Sequence, residues 1–225
     1  AHREVETAGG GIGLLHHRLI LEHNGSYVGE FTARVDNRTE RFLDVRLPPD
    51  ARLLAAFVAG GSVKAATGGD GGERVRIPLI KTPIGELDTE VRAVYEGVLP
   101  ALAHVVHVGF PVARITNLPV SRTQVSLHVP RTHWWFDFGG SMGQPRGSEA
   151  LQAGVLSYKT NQARRLSELL NYGTVKQKKR ALSNLARLEG ELQRTQDRLA
   201  VVSGKEEKQA VEEAREVLRG TSKQM

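Results

Sequence analysis

Up to about residue 145 the chain alternates apolar and polar residues in short runs. Beyond residue 146 apolar residues return every three or four positions. The first period is that of strands with one face in a core, and the second is that of helices with one buried stripe. In YVGEFTARVD, Tyr27, Phe31, Ala33 and Val35 share one face, with Glu30, Thr32 and Arg34 opposite. RFLDVRL places Leu43, Val45 and Leu47 on one face and Asp44 and Arg46 on the other, and Pro48-Pro49-Asp50 stops it. LLAAFVAGGSVKAAT reads as a hairpin turning at Gly60-Gly61, and RVRIPLI follows the loop Gly68–Gly72. EVRAVYEGV, HVVHVGFPV and QVSLHVP continue the pattern, each bounded by Pro or Gly. VYEGVLPALAHVV leaves a helical turn open. Pro78 inside RVRIPLI predicts an edge strand or a bulge, because proline donates nothing to a ladder.

In the second region Ser148 is a cap for a first helix over residues 148–170, ending at Asn171-Tyr172-Gly173. Thr174 with Gln177 forms a capping box that opens a second helix, closed near Ser203-Gly204, and KEEKQAVEEAREVLRG predicts a third. Leu185, Leu188, Leu192, Thr195, Leu199 and Val202 follow alternating steps of three and four, the spacing of a coiled-coil seam. A helix over residues 174–203 is roughly 40 Å long. The shorter third helix cannot cover that length, so Leu185, Leu188, Leu192, Leu199 and Val202 are expected to form an assembly seam with another chain or with the rest of a larger one.

Together these readings predict an α+β chain by segregation. An antiparallel β-sandwich at 14–145 follows a flexible leader at 1–13 and precedes an α-helical hairpin or coiled-coil-like region at 146–225. Charge sharpens the division. Residues 1–145 carry fifteen Lys and Arg against fifteen Asp and Glu, while the remainder carries sixteen against ten. All nine prolines, all eight histidines and both tryptophans precede position 146. The formal charge of +6 therefore belongs to the helical region. The absence of cysteine excludes disulfides, thiolate metal sites and cysteine nucleophiles. No apolar run reaches the length of a membrane-spanning helix. The opening AHREVETAGGG has neither Met nor an apolar segment, and suggests a processed chain or an internal piece of a longer one. Asn24-Gly25-Ser26 and Asn37-Arg38-Thr39 match the glycan-acceptor triplet.

Candidate chemistry is sparse. THWWFDFGG (132–140) gathers His133, Trp134, Trp135, Phe136, Asp137 and Phe138 in six positions. Read as a strand, it sends Trp134, Phe136 and Phe138 into the core and His133, Trp135 and Asp137 to the other face. Adjacent tryptophans then cannot form one sugar-stacking platform, and His133 and Asp137 stand roughly 13 Å apart, too far for a base and its orienting carboxylate. His16 and His17 diverge on a strand, and His104 and His107 converge only on a helix, so no metal site is expected. GGGIG and GGDGG lack the lysine and spacing of phosphate loops, and no cofactor is expected. The strongest electrostatic feature is a basic surface of Arg164, Arg165, Lys176, Lys178, Lys179 and Arg180. It has no interleaved aromatics for stacking bases, and its cations in the first turns of a helix oppose the macrodipole.

NRTERFLDVRLPPDARLLAAFVAGGSVKAA, RVRIPLI and EVRAVYEGVL resemble a pattern of large, mostly uncharacterised bacterial envelope proteins. In it, a strand ending in LP leads to an AxVxG hairpin, a VPL-type strand and a VxxVYxxxL strand. The resemblance covers about residues 27–138 and is to fibronectin-type or macroglobulin-like β-sandwich modules. It implies an extracytoplasmic or envelope scaffold and carries over no catalytic residue. The expected function is a non-enzymatic structural protein that docks to other subunits through its helices. The alternatives are a carbohydrate-binding module using residues 133–138, and a nucleic-acid or anionic-surface binder using the basic helices.

Overall fold

The computed structural model describes residues 10–68, 72–100, 107–135, 138–140, 142–143 and 149–199, with helical positions at 212 and 216; at 149–150 and 195–199 the backbone alone is described. The third helix expected at 205–220 otherwise lies outside the described residues. The chain divides into two compact units, residues 1–82 with 88–137, and residues 83–87 with 138–225. The described residues form an α+β arrangement of two mostly antiparallel sheets followed by two long helices.

In the first unit β1 (Gly10–Leu21) pairs with β2 (Ser26–Asn37), which pairs with β8 (Thr89–Val98), then β4 (Arg52–Val58) and β5 (Gly61–Ser62). On the far side of β1 lies β10 (Thr123–His128), and this pair is parallel. The second sheet runs β6 (Ala66–Gly68), β7 (Arg74–Pro78), β3 (Phe42–Arg46) and β9 (Arg114–Ile115). Inward residues of both sheets, among them Ile12, Leu19, Phe31, Leu43, Val75, Ile77 and Tyr95, belong to one buried cluster. The alternation read in β2 and β3 is the one observed: Tyr27, Phe31, Ala33, Val35, Leu43, Val45 and Leu47 are all buried. The hairpin between β4 and β5 turns through Ala59 and Gly60, both at positive φ, the twist that two-residue turns require.

Three expectations need correction. Residues 10–13 are not a leader: Gly10 begins β1 opposite Asn37, and a side chain on it would overlap the Asp36 carbonyl. Glycine there serves close strand approach rather than flexibility. Pro78 lies on a strand flanked on both sides, yet β6 pairs only with Arg74–Arg76, so no neighbour asks Pro78 for a donor. Residues 107–113 form no strand, and HVVHVGFPV contributes only a loop among the described residues.

The two central strands are fitted by a reciprocal exchange. In register, Tyr27 faces Gly97 and Gly29 faces Tyr95, and each tyrosine ring lies over the glycine opposite. The rings meet edge to face at 6.4 Å. The Tyr95 hydroxyl donates to Pro111 O (3.0 Å) and accepts from Ala113 N (3.1 Å), tying a loop to the core. Burial pushes its pKa up to about 12, opposed by the Ala113 hydrogen bond.

In the second unit α1 (Glu149–Tyr172) and α2 (Val175–Leu199) pack along each other, joined by Gly173 and Thr174. The capping box forms as read: Thr174 N donates to Gln177 Oε1 (2.8 Å), and Gln177 N donates to Thr174 Oγ1 (3.4 Å). Gly173 N closes α1 onto Leu169 O at 2.8 Å.

Candidate functional site

The helix pair was expected to carry the functional surface, and its geometry reassigns the residues. Leu185, Leu188 and Leu192 are buried against Ala153, Leu156, Ala163 and Leu166 of α1. Their three-and-four spacing is satisfied inside this chain, because the small alanines let the leucines of α2 seat between turns of α1. These three are therefore core and not a free assembly seam. The side chains of Thr195 and Leu199, and Val202 entirely, lie outside the described residues. Lys159 Nζ and Glu191 Oε2 pair at 2.7 Å along the edge of this contact.

A further element of this unit was missed in the sequence. The segment 83–87 belongs with the helices and not with the strands that flank it in sequence. Asn184 Nδ2 donates to Gly85 O and to Glu86 Oε2, both at 2.9 Å, and Leu87 packs on the helix core. Gly85 has φ +91, and a Cβ there would stand 2.8 Å from Gln177 O. Only the sequence PIGEL signals it, as a proline–glycine turn with one leucine.

This contact splits the basic surface. Arg180 Nε lies 3.6 Å from Glu86 Oε1, and half-buried Lys178 Nζ donates to Asn171 O at 3.4 Å. Arg164 donates to Asn161 Oδ1 at 3.3 Å, and Arg164 and Arg165 are exposed. Lys176 and Lys179 are exposed at the start of α2 beside two apolar side chains, Tyr172 (91% exposed) and Val175 (86%). Val175, Lys179 and Leu182 follow one another at i, i+4 and i+7, and so share a face of α2 that turns away from the leucine core.

The aromatic run is not a strand where it is described. Residues 131–135 form a turn and a loop. Trp134 is exposed and Trp135 half-buried, the reverse of the expected facing. Trp135 packs on Phe110 with ring centroids 6.0 Å apart, and its Nε1 donates to Pro130 O at 3.2 Å. Strand alternation fails here because no neighbouring strand imposes it. Phe138 is 38% exposed. Phe136 and Asp137 lie outside the described residues, and His133 Nδ1 is 3.1 Å from Thr132 Oγ1.

Among the described residues no three His, Asp or Glu side chains are grouped so as to hold a metal. His16 and His17 diverge as read: His16 Nε2 meets Ser126 Oγ at 2.9 Å, while His17 is buried near the Phe31 ring, its Nδ1 without a described partner. Burial, and then the charge of His16, push the His17 pKa down to about 4. His104 lies outside the described residues, and His107 is exposed in the loop. Asn37 is fully buried, with Nδ2 donating to Glu40 O (2.8 Å) and Ile80 O (3.1 Å), which leaves it unavailable as a glycan acceptor. No described helix is long and apolar enough to cross a membrane.

No family model and no curated protein matches the chain. Among solved structures it is similar to an M1 zinc metallopeptidase from Deinococcus radiodurans (21% identity over 40% of this chain and 20% of that one, TM-score 0.34). It is also similar to an aminopeptidase N family protein from Idiomarina loihiensis (11% identity over 52% and 22%, TM-score 0.35). This chain thus spans about one fifth of the length of those proteins, and a likeness so slight brings neither an activity nor a site to it.

Proposed function

We propose that the chain is a non-enzymatic structural module, a β-sandwich carrying a helical hairpin, that docks to another subunit of a larger envelope assembly. The cluster drawing on both sheets supports the sandwich reading. The observation that carries the docking is the turn between the helices, where Tyr172 and Val175 stand almost fully exposed beside the exposed Lys176 and Lys179. An exposed aromatic with an aliphatic neighbour and a cationic rim is the composition of a protein contact whose partner offers an apolar pocket with acidic margins. Leu185, Leu188 and Leu192 are buried inside the chain, whereas this tip presents its apolar side chains to the outside. In native extract, the wild-type chain is expected to elute in a complex larger than a monomer. Tyr172→Glu with Val175→Glu should elute as a monomer with unchanged helical circular dichroism. A monomeric wild type, or a double variant that stays in the complex, would sink the docking role.

Exposed Trp134 favours a second reading, a carbohydrate-binding module in which one indole stacks on a sugar face. It predicts that Trp134→Ala abolishes retention on a glycan array without lowering the melting temperature. Trp135→Ala should lower that temperature instead.

A further inference from the structure

The outer faces of the two sheets handle charge differently. On the larger sheet, opposite charges meet: Arg34 with Glu90 at 2.7 Å, Arg52 with Glu96 at 2.6 Å, and Arg92 with Glu30 at 3.7 Å. On the smaller sheet, Arg74 of β7 is in register with Arg46 of β3, and Arg46 with Arg114 of β9. Three guanidinium side chains thus stand in one row on one face, about 4.8 Å apart at their strand axes. Like charges directly opposite are unfavourable in a sheet.

The row is held by the fold and not by a choice of rotamer. Leu43, Val45, Val75 and Ile77 are buried on the opposite face of the same strands. A slip of one residue would exchange those apolar side chains for the arginines. Although β9 is only two residues long, it is braced. Thr116 N donates to Asp44 O at 3.0 Å, and Asn117 bonds Asp44 N and Phe42 O through its side-chain amide, both at 2.9 Å. Arg76 adds a fourth cation one step along β7, 3.2 Å from Asp44 Oδ1, and Arg46 lies 3.8 Å from Glu73 Oε2. Among the described residues Arg74 and Arg114 have no acidic partner and are exposed. Among the described residues, four arginines against Asp44 and Glu73 leave this face positive.

We infer that the β7–β3–β9 face is a docking surface for an extended acidic peptide segment of a protein partner, with carboxylates at alternate positions. All four cations are arginines, whose planar forks bind carboxylates in bidentate fashion. Arg74 and Arg76 are two residues apart on one strand, about 6.8 Å, which is also the interval between same-face carboxylates of an extended peptide. Phe42, exposed and opposite Pro78, offers an apolar step at the end of the face. Among the described residues this face offers one aromatic, at its margin, where single-stranded nucleic acid needs a stacking series.

The test uses the full chain and a labelled synthetic peptide alternating Glu with Thr and ending in Phe. Its comparators are a peptide of the same composition with the glutamates in one block and a single-stranded oligonucleotide of equal charge. At about 50 mM salt the alternating peptide is expected to bind best, and to weaken steeply at about 200 mM. Arg74→Gln with Arg114→Gln should lower its affinity about tenfold or more while leaving the melting temperature unchanged or raised. Arg74→Lys with Arg114→Lys, which keeps charge but not the fork, should lose part of it. Arg187→Gln with Arg194→Gln, exposed on α2 and outside both surfaces, should lose none. Absence of binding by the wild type, equal binding of the blocked peptide, tighter binding of the oligonucleotide, or affinity untouched by the arginine variants would each overturn the assignment.

Discussion

The two cores of this protein are built on different terms. In the β unit, large side chains of two adjacent strands are fitted to particular absences: Tyr27 lies over Gly97, Tyr95 over Gly29, and the Tyr95 hydroxyl fills a place between Pro111 and Ala113. In the helix unit, among the described residues, Leu185, Leu188 and Leu192 of α2 meet Ala153, Leu156, Ala163 and Leu166 of α1, with Leu87 of the 83–87 segment packed against them. The first core specifies shape, and its loss of one atom is felt through a hydrogen-bonded loop. The second, as far as it is described, is a two-helix contact and is interchangeable in detail, so it depends on every layer. The difference bears on the two proposed surfaces: the helix pair displays its tip, while the fitted β core holds a charged face in register.

The largest effect expected is in the helix core. Each buried leucine truncated to alanine costs about 2–5 kcal/mol, and a buried unpaired carboxylate costs more. Leu188→Asp with Leu192→Asp should therefore unfold α1 and α2. Hydrogen exchange would show their amides unprotected while β2 and β8 stay protected. A double variant that keeps its helices and merely leaves a complex would restore the seam to an intermolecular role and erase the contrast between the cores.

Acid should act on the β unit. His17 has a folded pKa lowered from 6.5 to about 4, so between those values the unfolded chain binds the proton more readily. Its contribution is complete above pH 6.5 and is lost as pH falls toward 4, about 3 kcal/mol in all. His16, also lowered by burial and then by Arg18, steepens the same fall. Thermal melts from pH 7.5 to 4.5 should show the β transition dropping, and His17→Leu should flatten that slope. An unchanged slope would mean that His17 does not titrate alone in this window.

The smallest effect sharpens the idea of fit. Tyr95→Phe keeps the ring over Gly29 but deprives Ala113 N and Pro111 O of their partner, a cost of about 1–2 kcal/mol. Chemical denaturation should register it in the β transition and leave the helical one alone. No loss would show that the loop is held by packing and not by the hydroxyl.

Much of the fold was legible in residue order because it depends on short-range periodicity. The alternation of Tyr27, Phe31, Ala33 and Val35 and the box of Thr174 with Gln177 are local physics and stand where they were read, while the hairpin read at Gly60-Gly61 turns one residue earlier, at Ala59-Gly60. The failures share a cause. Trp134 was given a core place by alternation, yet alternation binds a segment only when a neighbouring strand holds it, and none pairs with residues 131–135. Gly10–Gly13 looked loose because glycine is permissive, whereas the close carbonyl of Asp36 makes glycine obligatory at Gly10.

Of the candidate surfaces, the sequence by itself determined which residues could be buried together on a strand or a helix, since that follows from the periods of two and 3.6. It marked Leu185, Leu188 and Leu192 as one stripe without saying what covers it. Only the tertiary structure decided that α1 does, that the segment 83–87 joins the helices, and that Arg74, Arg46 and Arg114 come from distant parts of the chain into one row. Those outcomes depend on strand order and register, which are set by the whole core at once and leave no trace in the spacing of neighbouring residues.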